Sequence, residues 1–292
     1  MGHRDHGGER GAIATGLGVS SLLFVGELAA GWWTNSLALM SDAAHVFADA
    51  AALGLALFAL WIGPRPAGPS KTYGYYRAEI LAALVNGVVL WVVVFFIAVE
   101  AWGRLRAPAP VAGKGMLVAA ALGLAANVFV AARLRAHKEE SLNLRGAYLH
   151  VISDLLGSVG ALAAAVVILT TGWQGADAVA SLVIAGLILV SSWSLVREAV
   201  DVLMEAVPPH VDVDALQRGL EGCAGVDEVH DLHVWTLTTG HYALSAHAVV
   251  DGSVSDGRIL DAMAALCAER FHIDHVTIQL EHESRRAAEP AH

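Results

Sequence analysis

Residues Ser36–Trp61 read SLALMSDAAHVFADAAALGLALFALW, an apolar run with polar residues inside it. It is long enough to cross a bilayer as a helix, which takes about 20 apolar residues. Yet it carries His45 and, four residues on, Asp49. A carboxylate near the centre of a bilayer costs roughly 2.5–3.5 kcal/mol on insertion scales, so a polar pair there calls for a function. A second run, Leu144–Thr170, repeats the pattern with His150 and Asp154. These are the only two of the 14 histidines that lie inside apolar runs.

Four further runs surround these two: Gly11–Trp33, Ala78–Trp102, Gly115–Ala132 and Ala176–Val196. The expected architecture is therefore an all-α six-helix transmembrane domain. Gly11–Trp33 is too long, and followed by too many spans, to be a cleaved signal. Thr34-Asn35 and Gly172–Gly175 read as tight turns between neighbouring spans. Trp32, Trp33, Trp61, Trp102 and Trp173 sit near the ends of runs, where aromatic rings favour the membrane–water interface. Lys and Arg are unequally divided between the two sides. Arg4, Arg10, Arg65, Lys71, Arg77, Arg133, Arg135, Lys138 and Arg145 fall on one side, and Arg104, Arg106 and Lys114 on the other. The richer side is cytoplasmic by the positive-inside rule, which places both termini in the cytoplasm; the expected location is the cell (inner) membrane, crossed several times.

After Pro208-Pro209 the composition becomes that of soluble protein. Val211–Cys223 reads as an amphipathic helix, Val229–Leu237 and Tyr242–Val250 as strands joined at Thr239-Gly240, Ser255–Phe271 as a helix and Val276–Glu281 as a last strand. The order α-β-β-α-β predicts one small sheet covered by helices. The expected divisions are a disordered tail over 1–10, the six-span transmembrane domain over 11–207, a cytoplasmic domain over 208–283 and a second tail over 284–292.

Composition closes off other classes. Hydrophobic residues make up 56% of the 292 and charged residues only 16%, an excess of apolar character that belongs to the spans. The net charge of −10 comes from the acidic tail, and no basic patch exists for a nucleic acid. Cys223 and Cys267 do not make a disulfide framework and read as small buried side chains. Nothing points to an organic cofactor.

The spacing of the intramembrane pairs states their chemistry. Residues i and i+4 share a helix face, so each helix offers an imidazole and a carboxylate together. If the second and fifth spans pack side by side, His45, Asp49, His150 and Asp154 form an N₂O₂ set. That set suits tetrahedral Zn²⁺; it lacks the thiolate that favours Cu(I) and has too many imidazoles for Mg²⁺ or Ca²⁺. Four ligands close the shell, and no spare general base shares these faces. An intramembrane metal-dependent hydrolase would keep a water position open, so a transporter, not an enzyme, is expected; a membrane metal sensor is the other alternative. Asp42, Glu27, Glu79, Glu100, Asn86 and Asn127 are read as interhelical hydrogen bonds or helix-end groups, and Gly157 and Gly160 as close-packing residues. In the tail, alternation puts His230 and His233 on opposite strand faces, with His247 on the adjacent strand and Glu281 on the last, a second candidate metal set. His3 and His6 in the amino-terminal tail are weak candidates for metal capture.

The chain resembles the cation diffusion facilitator family, in particular its zinc-exporting bacterial branch. The matching stretches are Asn35–Asp49, Tyr73–Asn86, Leu142–Asp154, Val229–Trp235, Leu244–His247 and His275–Glu281, and the match runs over about residues 10 to 283. The resemblance implies a homodimer with a ferredoxin-like cytoplasmic domain. It also implies efflux of Zn²⁺, with Cd²⁺ and Co²⁺ as other candidate ions, in exchange for protons. The family's transport site falls on His45, Asp49, His150 and Asp154, and its tail metal site on His230, His247 and Glu281, with His275 close by. Two features depart from many relatives: only His137 stands between the fourth and fifth spans, and Gly63–Thr72 offers neither His nor Asp for a further site.

Overall fold

The computed structural model describes residues 6–62, 68–135 and 142–284. Six long helices come first: α1 (His6–Thr34), α2 (Leu37–Ile62), α3 (Tyr76–Arg106), α4 (Gly113–Arg135), α5 (Leu142–Thr171) and α6 (Gly175–Leu203). Each covers one apolar run to within a residue and extends beyond at least one of its ends, because helix hydrogen bonding continues past the last apolar residue until a turn stops it. The α1–α2 turn is stopped by Asn35 at φ 55° and the α5–α6 turn by Gly172 at φ 75°. Asparagine and glycine are the residues that enter this left-handed region most readily.

The chain divides into two compact units. One takes α1, α2 and Ala82–Val196; the other takes Arg197 onward together with Arg65–Leu81. In the first, α1 packs on α2, α4 on α5, and α2 and α5 also meet. Its core is made of apolar side chains, mostly small or branched, such as Ala38, Leu39, Ala161, Ala165, Ala178, Ile184 and Ile188, with the unbranched Met116 among them. The outward faces stay apolar: Leu22, Val85, Phe95, Phe96, Leu122, Phe129 and Val190 are all exposed. So much bare hydrocarbon is stable only against lipid. Among the described residues, α3, α6 and the Asp154–Thr171 part of α5 are long and apolar enough to cross a membrane by length and composition alone.

Among the polar residues of this unit, Asp42 and Asn127 pair across helices as expected, while the buried Glu27 Oε2 has no hydrogen-bond partner among the described residues. The Ser158 hydroxyl on α5 donates to Asp42 Oδ2 on α2 at 3.3 Å, and Asn127 Nδ2 on α4 donates to Ser158 at 3.4 Å. Gly157 permits this approach, since a Cβ there would overlap Asp42 Oδ1. Glu100 takes a hydrogen bond from Arg104, one turn along α3.

The second unit holds α7 (Val213–Glu221), β1 (Val226–Thr238), β2 (His241–Val250), α8 (Asp256–Phe271) and β3 (His275–Glu281), in the expected α-β-β-α-β order. Asp212 caps α7 by accepting from the Ala215 amide at 3.0 Å. The sheet order is β1-β2-β3, with β1 antiparallel and β3 parallel to β2. Leu244, Ala246, Ala248 and Val250 on one face of β2 are buried against Leu216, Leu220, Ile259, Met263 and Cys267 of the two helices. Cys267 is fully buried, and burial pushes its thiol up to about 11. In the same unit Glu79, in the first turn of α3, accepts from Thr238 Oγ1 at 3.1 Å.

One expectation about β1 fails. His230 pairs with His247, but His233 pairs with Ser245, three residues on one strand against two on the other. Asp231, at φ 49°, takes up the extra residue as a bulge. Cross-strand partners share a face, so His230 and His233 lie on the same side of the sheet, not on opposite sides.

Candidate metal centres

α2 and α5 bring their polar faces together. His45 Nε2 lies 3.2 Å from Asp154 Oδ1, a contact between residues 109 apart in the chain. Ligand atoms of His45, Asp49 and Asp154 all fall within 4.8 Å of one another, and all three residues are half-buried. His150 stands one turn before Asp154 on α5; its side chain lies outside the described residues. The cluster combines imidazole and carboxylate donors inside a low-dielectric bundle, where a divalent cation would offset the charge of two carboxylates. A cavity of about 210 Å³ reaches His45 beside Gly157, Ile184, Leu187, Ile188 and Ser191.

A second cluster sits on the sheet face away from the helices. Glu281, at the end of β3, holds one oxygen 3.2 Å from His247 Nδ1 and the other 3.6 Å from His230 Nε2. The imidazole centroids are 5.4 Å apart. His230 and Glu281 are 5% and 4% exposed, so this carboxylate is almost wholly removed from water. The ligand atoms of the three again lie within 4.8 Å. Two imidazoles and one carboxylate fit Zn²⁺ or a similar borderline cation.

The other tail histidines are placed elsewhere. His275 opens β3 opposite Ala243, at the far end of the strand from Glu281, with its ring edge-on to Tyr73. His210 packs on Tyr242, His233 contacts Asp231, His241 contacts Asp274, and His272 closes α8 in a left-handed conformation. These have local structural partners. His3 and His137 lie outside the described residues, and of His6 only the backbone, at the start of α1, is described.

One group of consequence was not singled out from the sequence. Asp177, in the first turn of α6, is 1% exposed. It accepts from Ser36 Oγ at 2.6 Å and from the Leu37 and Ala38 amides of α2 at 2.7 and 3.1 Å. The signal available was an aspartate inside an apolar run, the same kind that drew attention to Asp49 and Asp154.

Comparison with known proteins agrees with this organisation. Residues 13–204 match the cation efflux transmembrane domain and residues 208–283 the cation efflux protein cytoplasmic domain. The chain is 41% identical over 283 residues to the metal cation efflux system protein CzcD of Cupriavidus metallidurans, covering 96% of this chain and 90% of that one. It is 41% identical over 292 residues to a Bacillus subtilis protein named cadmium, cobalt and zinc/H(+)-K(+) antiporter, covering 97% and 93%. It is 38% identical over 269 residues to the zinc transporter ZitB of Yersinia pestis, covering 91% and 85%.

Proposed function

Since the chain belongs to the cation efflux, or cation diffusion facilitator, family of membrane metal transporters, we propose that it is a Zn²⁺/proton antiporter working through His45, Asp49, His150 and Asp154. The observation that carries this reading is the convergence of His45 and Asp49 on α2 with Asp154 on α5. Three donors from two helices, with His150 one turn before Asp154 as the fourth, make a site between elements that can move apart. Cd²⁺ and Co²⁺ have similar ligand preferences and are the natural competitors, as the name of the Bacillus subtilis relative also indicates.

The mechanism follows from the donors. Imidazole must be neutral to bind a metal, so cation and proton compete for His45 and His150. Metal arriving from the cytoplasm displaces protons. When the helices rock and the site faces outward, protons from that side displace the metal. A site near the midplane with alternating exposure is a common transporter plan. Six spans, both termini in the cytoplasm and placement in the inner membrane belong to this reading, as do the boundaries at 11–207 and 208–283. The tail is assigned as a ferredoxin-like domain that dimerises and holds a separate metal ion on His230, His247 and Glu281. Bound there, the ion would supply positive charge to the buried Glu281 carboxylate and join three strands.

The test is flux in sealed inside-out vesicles or proteoliposomes carrying the pure protein, with a metal indicator and a pH dye. Metal uptake with opposite proton movement is expected. Metal moving at the same rate with the pH gradient collapsed, and no proton exchange, would refute antiport. Metal binding without any flux would favour a sensor.

A further inference from the structure

Among the described residues of the helical unit, the buried hydrophobic core packs continuously toward the end that carries the turns. Its α2 members, Leu37, Ala38 and Leu39, all precede His45. Its α5 members, Ala161 to Ile168, follow Asp154, and its α6 members lie between Ala176 and Ile188. These reach from the level of the metal cluster, where Ile184 and Ile188 line the same cavity as His45, to the end that carries the α1–α2, α3–α4 and α5–α6 turns. On α2 beyond His45, Ala50 and Ile62 alone are buried hydrophobics among the described residues. The bundle is shut at the turn end.

Polar groups bind that end across helices that are far apart in sequence. The Asp177 carboxylate on α6 takes three hydrogen bonds from the start of α2, two of them from backbone amides that a helix cannot satisfy internally. Ser36 Oγ also accepts from the Leu39 amide at 3.2 Å. From α3, Arg104 donates to Asn35 O at 2.7 Å and Oδ1 at 3.0 Å, and lies 3.7 Å from Asp177. Asn35 Nδ2 reaches Pro110 O at 2.9 Å, and the Val111 amide donates to Gln174 Oε1 at 3.0 Å. All three turns are thus tied together, with the Asp177 carboxylate at the centre.

The geometry points to Asp177 as the lock that holds the turn end of the metal path shut, a positioning residue that touches no metal ligand. A transporter must open this end once per cycle, and opening it separates α2 from α6. The carboxylate and the two amides can then exchange one another for water, so the bonds break at a cost that is finite but set by this one side chain. The lock keeps the closed end closed until metal or proton binding at His45 and Asp154 shifts α2. This inference rests on the transport reading above.

The test uses the full-length protein with Cys223 and Cys267 replaced by serine and Leu39→Cys added as a reporter. Leu39 is 2% exposed, so the thiol should react with a water-soluble maleimide only when the turn end opens. Asp177→Asn keeps the shape and removes the charge. Its labelling rate should rise by roughly tenfold, the change in closed-to-open ratio expected on losing a charge-assisted bond. Proteoliposomes of the same variant without the reporter should show metal leak that moves no protons, a readout that loss of folded protein alone would not produce. Should Asp177→Asn fail to fold, Ser36→Ala removes one of the three bonds and should give a smaller rise in both. Unchanged or slower labelling, or coupled transport without leak, in a folded variant overturns the lock. Absence of flux in the parent protein would instead refute the transport reading itself.

Discussion

Binding of Zn²⁺ to the tail should stabilise that domain strongly, and the size of the effect follows from its site. Glu281 is nearly inaccessible to water and contacts both His230 and His247. The three donors come from three different strands, so a bound ion would link β1, β2 and β3 only when all are folded. An ion that binds only the folded form stabilises by about 2.7 kcal/mol at a hundredfold excess over its dissociation constant. For a domain the size of residues 208–283, each kcal/mol moves the melting temperature by about 4–8 °C, so the rise should be roughly 10–20 °C. The assay is calorimetry or circular dichroism on the fragment Pro208–His292, with zinc and with chelator. The His230→Ala, His247→Ala double variant should lose the rise, and Glu281→Gln should lose most of it while keeping the side-chain volume. The rise should also shrink as the pH falls, because protons compete with metal for the imidazoles. If the double variant gains as much from zinc as the parent, the cluster is not a metal site.

Three further outcomes are expected. Asp49→Ala and Asp154→Ala should each abolish metal uptake into inside-out vesicles while the protein stays inserted and dimeric; normal uptake by either would remove that residue from the site. His45→Asp should keep transport but broaden ion choice towards Mn²⁺ and Cd²⁺, because an oxygen-rich shell discriminates less, and an unchanged competition profile would show that position 45 does not set selectivity. Cys267 in the native tail should resist iodoacetamide at pH 8, since a thiol at about 11 is ionised in only roughly one molecule in a thousand, and should react fully in guanidinium; ready labelling of the folded domain would contradict its burial. The pH dependence follows from the same shift. A pKa raised by folding leaves stability unchanged below the ordinary thiol range and lowers it as the pH climbs from about 9 towards 11.

Much of the molecule was legible because its strongest signals are local. An apolar run longer than a bilayer is thick names a helix wherever it sits, and every such run is helical here. A histidine and an aspartate four apart share a face by helix geometry alone, so each half of the intramembrane cluster could be written down before any packing was known. The tail's element order emerged from the change of period between strand and helix. The failure on β1 has an equally plain cause. Alternation assumes an unbroken pleat, and the bulge at Asp231 inserts one residue that no hydrophobic pattern reports.

Which residues are polar inside apolar helices, and which pairs share a helix face, can be read from the chain alone, since both follow from covalent order and the fixed pitch of a helix. Which helices meet came from the folded packing. It set His45 of α2 3.2 Å from Asp154 of α5, brought His230, His247 and Glu281 together from three strands, and left His275 at the wrong end of β3. It also gave Asp177 a role that its own helix does not need, as the acceptor for the first amides of α2, 139 and 140 residues away. Contacts at such separations depend on how whole elements pack, and packing depends on the summed shape of many side chains, which no single stretch of sequence contains.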